Sequence, residues 1–261
     1  MSLHLIRTVS SLLLFTALGG LSGAESNPVP GSQVARKVTI TPAEKKVSIR
    51  YWQFVPADYD GKKEFPLMLF LHGSGERGHN LELVKKWGPP KIVMDRPDFP
   101  FVLISPQCPE DRRWDVDELY HLMDHVSGSL MVDQQRLYVT GLSMGGSGAW
   151  HMMDRYPDLF AAGIPICGSG KSDNAKNLVN IPIWAFHGGA DNPSTSQLMI
   201  QQIGKAGGKK ARLTVYPDVG HNSWSRTYAN EGVYQWLLSK KSDYRGEKQS
   251  SGRKTSDIKS K

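Results

Sequence analysis

Ser143 is the residue whose surroundings most clearly indicate chemistry. It lies in the pattern Gly-Leu-Ser-Met-Gly at residues 141–145, directly after the apolar residues 137–140. Small residues on both sides of a serine let the backbone turn sharply, so that the hydroxyl stands clear of the strand that carries it. Residues 143–154 have a helical pattern that ends before Pro157. A serine held between a strand and a helix in this way is typical of a nucleophile for acyl transfer.

A serine hydroxyl becomes a good nucleophile only when a histidine accepts its proton and an acid orients that histidine. Two strand-like segments downstream, residues 181–186 and 211–216, are each followed by a loop that supplies one of these groups. Asp191 follows the first segment and His221 the second, which gives the order serine, acid, histidine. The sequence therefore predicts a catalytic triad of Ser143, Asp191 and His221.

Other acids and histidines offer alternatives to this triad. Asp218 is the alternative acid, but it lies three residues before His221 on the same loop, where capping the turn is the simpler role. His187 ends its strand and is expected to pack there beside the glycine that makes the turn. His125 and His151 fall in helical segments, where surface or packing positions are expected.

Acyl transfer also requires two backbone N–H donors that face the oxyanion of the tetrahedral intermediate. The amide of Met144, directly after the serine, is one candidate. The second lies in His-Gly-Ser-Gly at residues 72–75, which follows the apolar segment 65–71. Ser74 is the predicted donor, with Gly75 as the alternative.

The elements that must position these residues alternate between strand-like and helix-like patterns. Strands are expected at 38–41, 46–55, 65–71, 101–105, 137–140, 162–166, 181–186 and 211–216, and helices at 81–94, 116–130, 143–154, 194–206 and 230–239. Such alternation predicts an α/β fold with a mostly parallel sheet and helices on both faces. Only thirteen residues, 168–180, precede the seventh expected strand, which is too few for a large cap domain, so an open site is expected.

The segments that carry these motifs are residues 66–78, 105–109, 136–146, 165–168 and 221–224. They resemble the corresponding segments of secreted α/β-hydrolases of the esterase and "predicted peptidase" group, near the phospholipase/carboxylesterase and dienelactone hydrolase families. The resemblance covers residues 36–239, and it implies an α/β-hydrolase fold and a serine hydrolase that uses the triad given above.

The two ends of the chain differ in composition from its middle. Residues 1–24 combine a positively charged start, a short apolar stretch and small residues at a cleavage position. They predict a signal peptide and hence a secreted or periplasmic protein, with an ordinary N-terminal helix as the alternative. Residues 25–239 would form the catalytic domain. Residues 240–261 contain eight Lys or Arg and three Asp or Glu without apolar periodicity, which predicts a disordered basic tail.

The net charge of +7 comes mostly from this tail, so the body of the protein does not favour nucleic acid as a partner. A solvated terminus is the expected state of the tail, with contact to an anionic polymer or cell surface as the alternative. No membrane-spanning segment, metal-ligand spacing or phosphate loop is found, so neither a metal nor a cofactor is expected. Cys108 and Cys167 follow strands that have two other strands between them in the expected sheet, a separation of roughly 14 Å, so both are predicted to be buried free thiols.

Two tryptophans are candidates for the substrate pocket. Trp224 lies three residues after His221, where its ring could form a wall beside the base, or could instead anchor the loop in the core. Trp114 could form the opposite wall.

Three functions remain open. A carboxylic ester hydrolase needs only the triad and the oxyanion hole, and would act on small-molecule or polymer-attached esters. A serine peptidase of prolyl-oligopeptidase character would use the same groups, but such enzymes hold the peptide with additional domains. A non-catalytic binding protein on a hydrolase fold would leave the complete triad unexplained. Ester hydrolysis is therefore the predicted function.

Overall fold

An eight-stranded sheet with helices on both faces makes up residues 27–243, the part of the chain that the computed structural model describes. Its strands are β1 (Gln33–Ile40), β2 (Val47–Phe54), β3 (Phe65–Leu71), β4 (Val102–Pro106), β5 (Val132–Leu142), β6 (Ala162–Ile166), β7 (Ile183–Gly188) and β8 (Ala211–Tyr216). The helices are α1 (Pro89–Ile92), α2 (Val116–Ser129), α3 (Met144–Arg155), α4 (Ser194–Lys205), α5 (Trp224–Tyr228) and α6 (Glu231–Leu238). Shorter 3₁₀ helices cover Pro42–Glu44, Ser74–Glu76, Leu81–Lys86 and Ser172–Leu178.

The strands lie in the order β1-β2-β4-β3-β5-β6-β7-β8. The pairs β1–β2 and β2–β4 are antiparallel, whereas all neighbours from β4 to β8 run parallel. The expected α/β-hydrolase fold is thus confirmed. Between β6 and β7 the described chain contains only the 3₁₀ helix Ser172–Leu178, so a large cap domain is not present there.

The central strands are buried on both faces, which explains their continuous apolar sequences. In β3 every residue is buried. Leu67, Leu69 and Leu71 pack into a cluster that includes residues of α2, α3 and α4, and the alternate residues Met68 and Phe70 pack into a second cluster with α5 and α6. The sheet therefore divides the core into two layers and holds its strand ends rigidly.

The prediction of one helix at residues 81–94 is wrong, because this segment forms the separate 3₁₀ helix Leu81–Lys86 and the short α1. Gly88 stands between them with φ of +66°, and a Cβ there would lie 2.7 Å from a ring carbon of Phe70. Two prolines follow at the start of α1, and a proline disfavours helical backbone in the residue before it. The break is therefore a property of the local sequence that its apolar pattern conceals.

The chain ends bear on the expected domain boundaries. Residues 1–24, the predicted signal peptide, lie outside the described residues, as does most of the predicted tail. The start of that tail is packed on the domain: the hydroxyl of Tyr138 donates to the carbonyl oxygen of Lys240 at 2.9 Å, and the amide of Ser242 donates to that of Gln135 at 2.9 Å. Residues 240–242 therefore pack against the domain, although they fall within the predicted tail.

Between residues 27 and 243, no helix has both the length and the apolar character needed to cross a membrane.

Two truncations should separate the packed start of the tail from the rest. Removing residues 240–261 leaves the buried Tyr138 hydroxyl without its acceptor, and such a loss costs about 1–3 kcal/mol. In a domain of this size we expect the melting temperature to fall by about 2–10 °C. Removing only residues 244–261 keeps both hydrogen bonds and should leave the melting temperature unchanged. Equal melting temperatures for the two variants would contradict this role of Lys240 and Ser242.

Candidate active site

Ser143 occupies the tight turn between β5 and α3, with φ of 53° and ψ of −115°. This backbone region costs a non-glycine residue about 1–3 kcal/mol, so the surrounding structure must hold it. The Ser143 amide donates to the carbonyl oxygen of Ile166 in β6 at 2.8 Å. On the other side, a Cβ at Gly145 would lie 1.9 Å from the carbonyl oxygen of Leu71 in β3. The serine is therefore clamped between the carboxyl ends of two strands.

Two hydrogen bonds join Ser143, His221 and Asp191. Nε2 of His221 lies 2.9 Å from Oγ of Ser143, and Nδ1 lies 2.6 Å from Oδ2 of Asp191. An ionised carboxylate can only accept, so the proton of the neutral imidazole lies on Nδ1 and Nε2 is free to accept from the serine. This is the tautomer that a general base requires.

The loops that carry the acid and the histidine are bound to each other. The amide of Gly189 donates to the carbonyl oxygen of Tyr216 at 2.7 Å, and the amide of Ala190 donates to that of Val219 at 3.0 Å. Both loops follow adjacent parallel strands, β7 and β8, so their side chains meet at one edge of the sheet. The distance between the acid and the histidine is thus set by backbone hydrogen bonds as well as by the side chains.

The geometry favours Asp191 over Asp218 as the orienting acid. Asp218 is exposed, whereas Asp191 makes the hydrogen bond to Nδ1 of His221. Burial raises the pKa of the Asp191 carboxyl, but the hydrogen bonds from His221 and from the Asn192 amide outweigh burial and hold the pKa below its usual value. Asp191 is therefore ionised at neutral pH.

The two amides expected to bind an oxyanion both stand at helix starts. Met144 is the first residue of α3, and Ser74 is the first residue of the 3₁₀ helix Ser74–Glu76. Amides in the first turn of a helix have no acceptor within the helix, so they can donate to a ligand. A Cβ at Gly73 would lie 3.6 Å from Cβ of Ser143, which shows how closely this loop approaches the serine.

His72 supports the 73–76 loop from its buried side. Its Nε2 accepts from the Cys108 amide at 3.0 Å, and its Nδ1 donates to the carbonyl oxygen of Gly73 at 2.7 Å. Burial lowers the pKa of His72 to about 4, so the ring is neutral at pH 7. The Trp114 ring meets the His72 ring edge-on, with centroids 4.7 Å apart, and Nε1 of Trp114 donates to the His72 carbonyl oxygen at 3.2 Å. These contacts support a role for Trp114 in holding the loop, and they give no support to its predicted role as a pocket wall.

Trp224 lies directly beside the base. Its ring meets the ring of His221 edge-on, with centroids 5.3 Å apart, and contacts Trp87 at 6.1 Å. Trp224 is only 9% exposed, and its buried indole N–H has no hydrogen-bond partner within the described residues. The side chain thus packs in the core and also contacts the histidine, and its role as a pocket wall stays a prediction.

Two further residues contact the triad without having been expected there. Nε2 of His187 lies 3.2 Å from Oδ2 of Asp191. Cys167 has φ of 49°, and its Sγ lies 3.1 Å from the carbonyl oxygen of His221 and 2.9 Å from Oγ of Ser223. The four-residue spacing of His187 and Asp191 after one strand was the available signal for the first contact. No sequence signal marks the second.

The two cysteines are free and buried, as expected from the strand order. Cys167, Asp191 and His221 bring a sulfur, an oxygen and a nitrogen within 4.8 Å of one another, the closest approach to a metal-ligand cluster among the described residues. Burial raises the pKa of the Cys167 thiol, which disfavours the thiolate that a metal would need. The nitrogen and oxygen are already hydrogen-bonded to each other, so the donor chemistry favours proton transfer.

Comparison with known proteins adds a family and several relatives. Residues 112–237 match the model of the Dienelactone hydrolase family. The chain is 34% identical over 103 residues to the "Putative carboxymethylenebutenolidase" of Escherichia coli (strain K12), an alignment that covers 34% of this chain and 37% of that protein. It is 25% identical over 236 residues to the "Probable feruloyl esterase C" of Aspergillus niger (strain ATCC MYA-4892 / CBS 513.88 / FGSC A1513), covering 84% and 83% of the two chains.

A solved structure agrees with the sequence relatives. The crystal structure of a thermostable esterase superposes with a TM-score of 0.68 at 30% identity, covering 79% of this chain and 63% of that one. The chain thus matches little more than a third of the length of the bacterial relative and less than two thirds of the esterase. The chain therefore has the α/β-hydrolase fold, and residues 112–237 match the dienelactone hydrolase family.

Proposed function

We propose that this protein is a serine hydrolase that cleaves carboxylic esters through an acyl-enzyme on Ser143. The observation that carries the proposal is the unbroken pair of hydrogen bonds from Ser143 through His221 to Asp191. Such a chain removes the serine proton and stabilises the imidazolium that results. The hydrolase family match and the similarity to esterases support the same class of reaction.

In the first half of the reaction, Oγ of Ser143 attacks the ester carbonyl carbon while its proton passes to Nε2 of His221. The carbonyl oxygen becomes an oxyanion, and the amides of Ser74 and Met144 are the proposed donors to it. Asp191 remains ionised and stabilises the imidazolium. When the tetrahedral intermediate collapses, the imidazolium gives its proton to the leaving alcohol, and the acyl group stays on Ser143.

In the second half, water replaces the alcohol and His221 accepts one of its protons. The resulting hydroxide attacks the acyl carbon, a second oxyanion forms at the same amides, and the bond to Oγ of Ser143 breaks as that oxygen regains a proton. The carboxylic acid leaves, and the triad is restored. Apart from the ester and one water molecule, every group in these steps belongs to the chain.

We propose bulky or polymer-attached esters with an aromatic acyl group as the substrate class. The short connection between β6 and β7 leaves the site uncovered there, and the His221 side chain is 51% exposed. Trp224 offers an aromatic edge beside the base. The relative that spans most of this chain is named as a feruloyl esterase. A peptidase would use the same triad, but it has no comparable support.

We also propose secretion or periplasmic export, which the composition of residues 1–24 supports. The basic residues beyond the domain could then contact anionic material outside the cell.

Replacing the nucleophile should abolish turnover without unfolding the protein. We expect Ser143→Ala to lower kcat on a small aryl ester by about 10⁴-fold or more. A fluorophosphonate probe should label the unaltered protein but not Ser143→Ala. The control is Ser147→Ala, which removes another half-buried hydroxyl of α3 and should keep its labelling. Near-normal turnover by Ser143→Ala would show that the assignment is wrong.

The matched pair Asp191→Asn and Asp218→Asn should identify the acid. An amide at position 191 would donate to Nδ1 and favour the wrong tautomer of His221, a change worth about 10⁴ in kcat in the serine-protease example. Asp218→Asn alters an exposed side chain and should retain kcat within about twofold. The measurement is kcat for both variants at matched melting temperature. A larger loss at position 218 would reverse the choice of acid.

A pair of conservative tryptophan variants should show whether Trp224 contacts substrate. Trp224→Phe and Trp150→Phe each remove a buried indole N–H without a partner, but only Trp224 contacts His221. We expect Trp224→Phe to lower the ratio of kcat/KM for aryl esters to that for acetyl esters by about 3–10-fold, the size of an aromatic contact. Trp150→Phe should leave the ratio unchanged. If both variants lose melting temperature and neither alters the ratio, Trp224 is purely a core residue.

A further inference from the structure

His187 brings a second imidazole to the triad acid. It lies near the end of β7 and is 3% exposed. Its Nε2 is 3.2 Å from Oδ2 of Asp191, the same oxygen that Nδ1 of His221 contacts at 2.6 Å. Its Nδ1 is 2.9 Å from Oγ of Ser196 in α4. The carboxylate therefore lies between two imidazoles, and the mechanism above uses one of them.

The proton positions on His187 follow from its partners. Because an ionised carboxylate can only accept, the proton of His187 must lie on Nε2. Burial lowers the pKa of His187, so the ring is neutral at pH 7 and Nδ1 carries a lone pair. Ser196 must then donate its hydroxyl proton to Nδ1. Ser196, which is 1% exposed, thus selects the tautomer that can donate to Asp191.

We propose that His187, held in one tautomer by Ser196, is a positioning residue that fixes the Asp191 carboxylate toward His221 and shares its negative charge. This inference rests on the proposed function of the triad. His187 touches neither the nucleophile nor the reacting atoms in this geometry, so it acts through Asp191. The contact also explains why a buried polar side chain stands at the strand end, where an apolar residue would fill the same space.

The contacts of Ser196 extend the arrangement back to the nucleophile. Oγ of Ser196 lies 3.4 Å from the carbonyl oxygen of Gly168, two residues after Ile166. The carbonyl oxygen of Ile166 accepts from the Ser143 amide at 2.8 Å. Because the one hydroxyl proton of Ser196 goes to Nδ1 of His187, the approach to the Gly168 carbonyl oxygen is a packing contact and not a second hydrogen bond. Ser196 therefore lies between His187 and the segment that follows β6.

Charge sharing has a measurable consequence. The titratable groups that act on His187 are Asp191 and His221, and Asp191 in turn faces the Cys167 thiol. Without the donor at position 187, the full carboxylate charge acts on His221 and stabilises its protonated form. The base then loses its proton only at higher pH. The lower limb of the pH profile of kcat/KM, which reports that loss, should move upward.

Two amide substitutions separate the two contacts of His187. His187→Gln places an N–H near the position of Nε2 and should keep the donor to Asp191. His187→Asn reaches only the position of Nδ1 and should lose that donor while remaining polar. We expect His187→Asn to lower kcat by about 10–100-fold with little change in KM, and His187→Gln to recover most of it. Rates are expressed per fluorophosphonate-reactive site, so that unfolded protein does not count.

The pH profile supplies the readout that a merely structural residue would not alter. In His187→Asn the lower limb of the pH profile of kcat/KM should move to higher pH by about 0.5–1 unit. A shift of this size corresponds to the net free energy of one hydrogen bond. Ser196→Ala should shift the limb in the same direction by less, and Ser196→Thr should restore it. If His187→Asn does not fold, the Ser196 pair carries the test alone.

The possible results separate the two proposals. If Ser143→Ala retains turnover, the proposed function itself is wrong. If Ser143→Ala is inactive but His187→Asn and His187→Gln have equal kcat, only the role of His187 is overturned. The same conclusion follows if neither His187→Asn nor Ser196→Ala shifts the lower limb of the kcat/KM pH profile. A loss of kcat in His187→Asn that His187→Gln rescues, together with the upward shift, supports the positioning role.

Discussion

The close backbone crossing at the end of β5 is the constraint on which the rest of the site depends. A Cβ at Gly145 would lie 1.9 Å from the carbonyl oxygen of Leu71, and one at Gly146 would lie 2.3 Å from that of Ile166. Real Cβ atoms do not approach oxygen so closely, so any side chain here would push α3 away from β3 and β6. The serine would then lose its strained conformation and its hydrogen bond to β6. The Met144 amide at the start of α3, a proposed oxyanion donor, would move with it.

This crossing also explains why the reacting groups come from separate loops yet meet with short distances. β5, β6, β7 and β8 are parallel neighbours, so their carboxyl ends form one edge of the sheet. Ser143, the proposed nucleophile, follows β5, and the proposed acid Asp191 and base His221 follow β7 and β8. Once the serine is clamped, the acid and histidine loops need only hold each other, which their backbone hydrogen bonds achieve.

Much of the fold and the pairing of the triad could be predicted from local sequence. The bounds of β3 and β6 agree with their apolar runs at both ends, because strands buried on both faces have no polar positions to blur those bounds. The candidate triad was found because each member follows such a run. The helix at 81–94 was predicted wrongly because apolar periodicity outweighed the prolines and glycine that break it.

The supporting contacts could not be predicted in the same way. The contacts of His187 with Asp191 and of Cys167 with His221 depend on strand pairing and side-chain direction. Spacing along the chain does not specify either of these. Trp114 shows the same limit, because its position after β4 was compatible with a pocket wall and with the observed contact to His72. Local patterns locate the residues that end strands, whereas their neighbours are determined by the whole sheet.

Burial differs sharply between the reacting groups and the groups that hold them. Ser74 and His221 are exposed and Ser143 is half-buried, whereas His72 and His187 are almost completely buried. Water competes for the hydrogen bonds of exposed groups, which makes such bonds weak constraints on geometry. A buried donor or acceptor that loses its partner costs about 1–3 kcal/mol, so buried pairs hold one arrangement. With its polar supports beneath the surface, the described part of the chain can hold the proposed triad in one arrangement although no large cap covers it between β6 and β7.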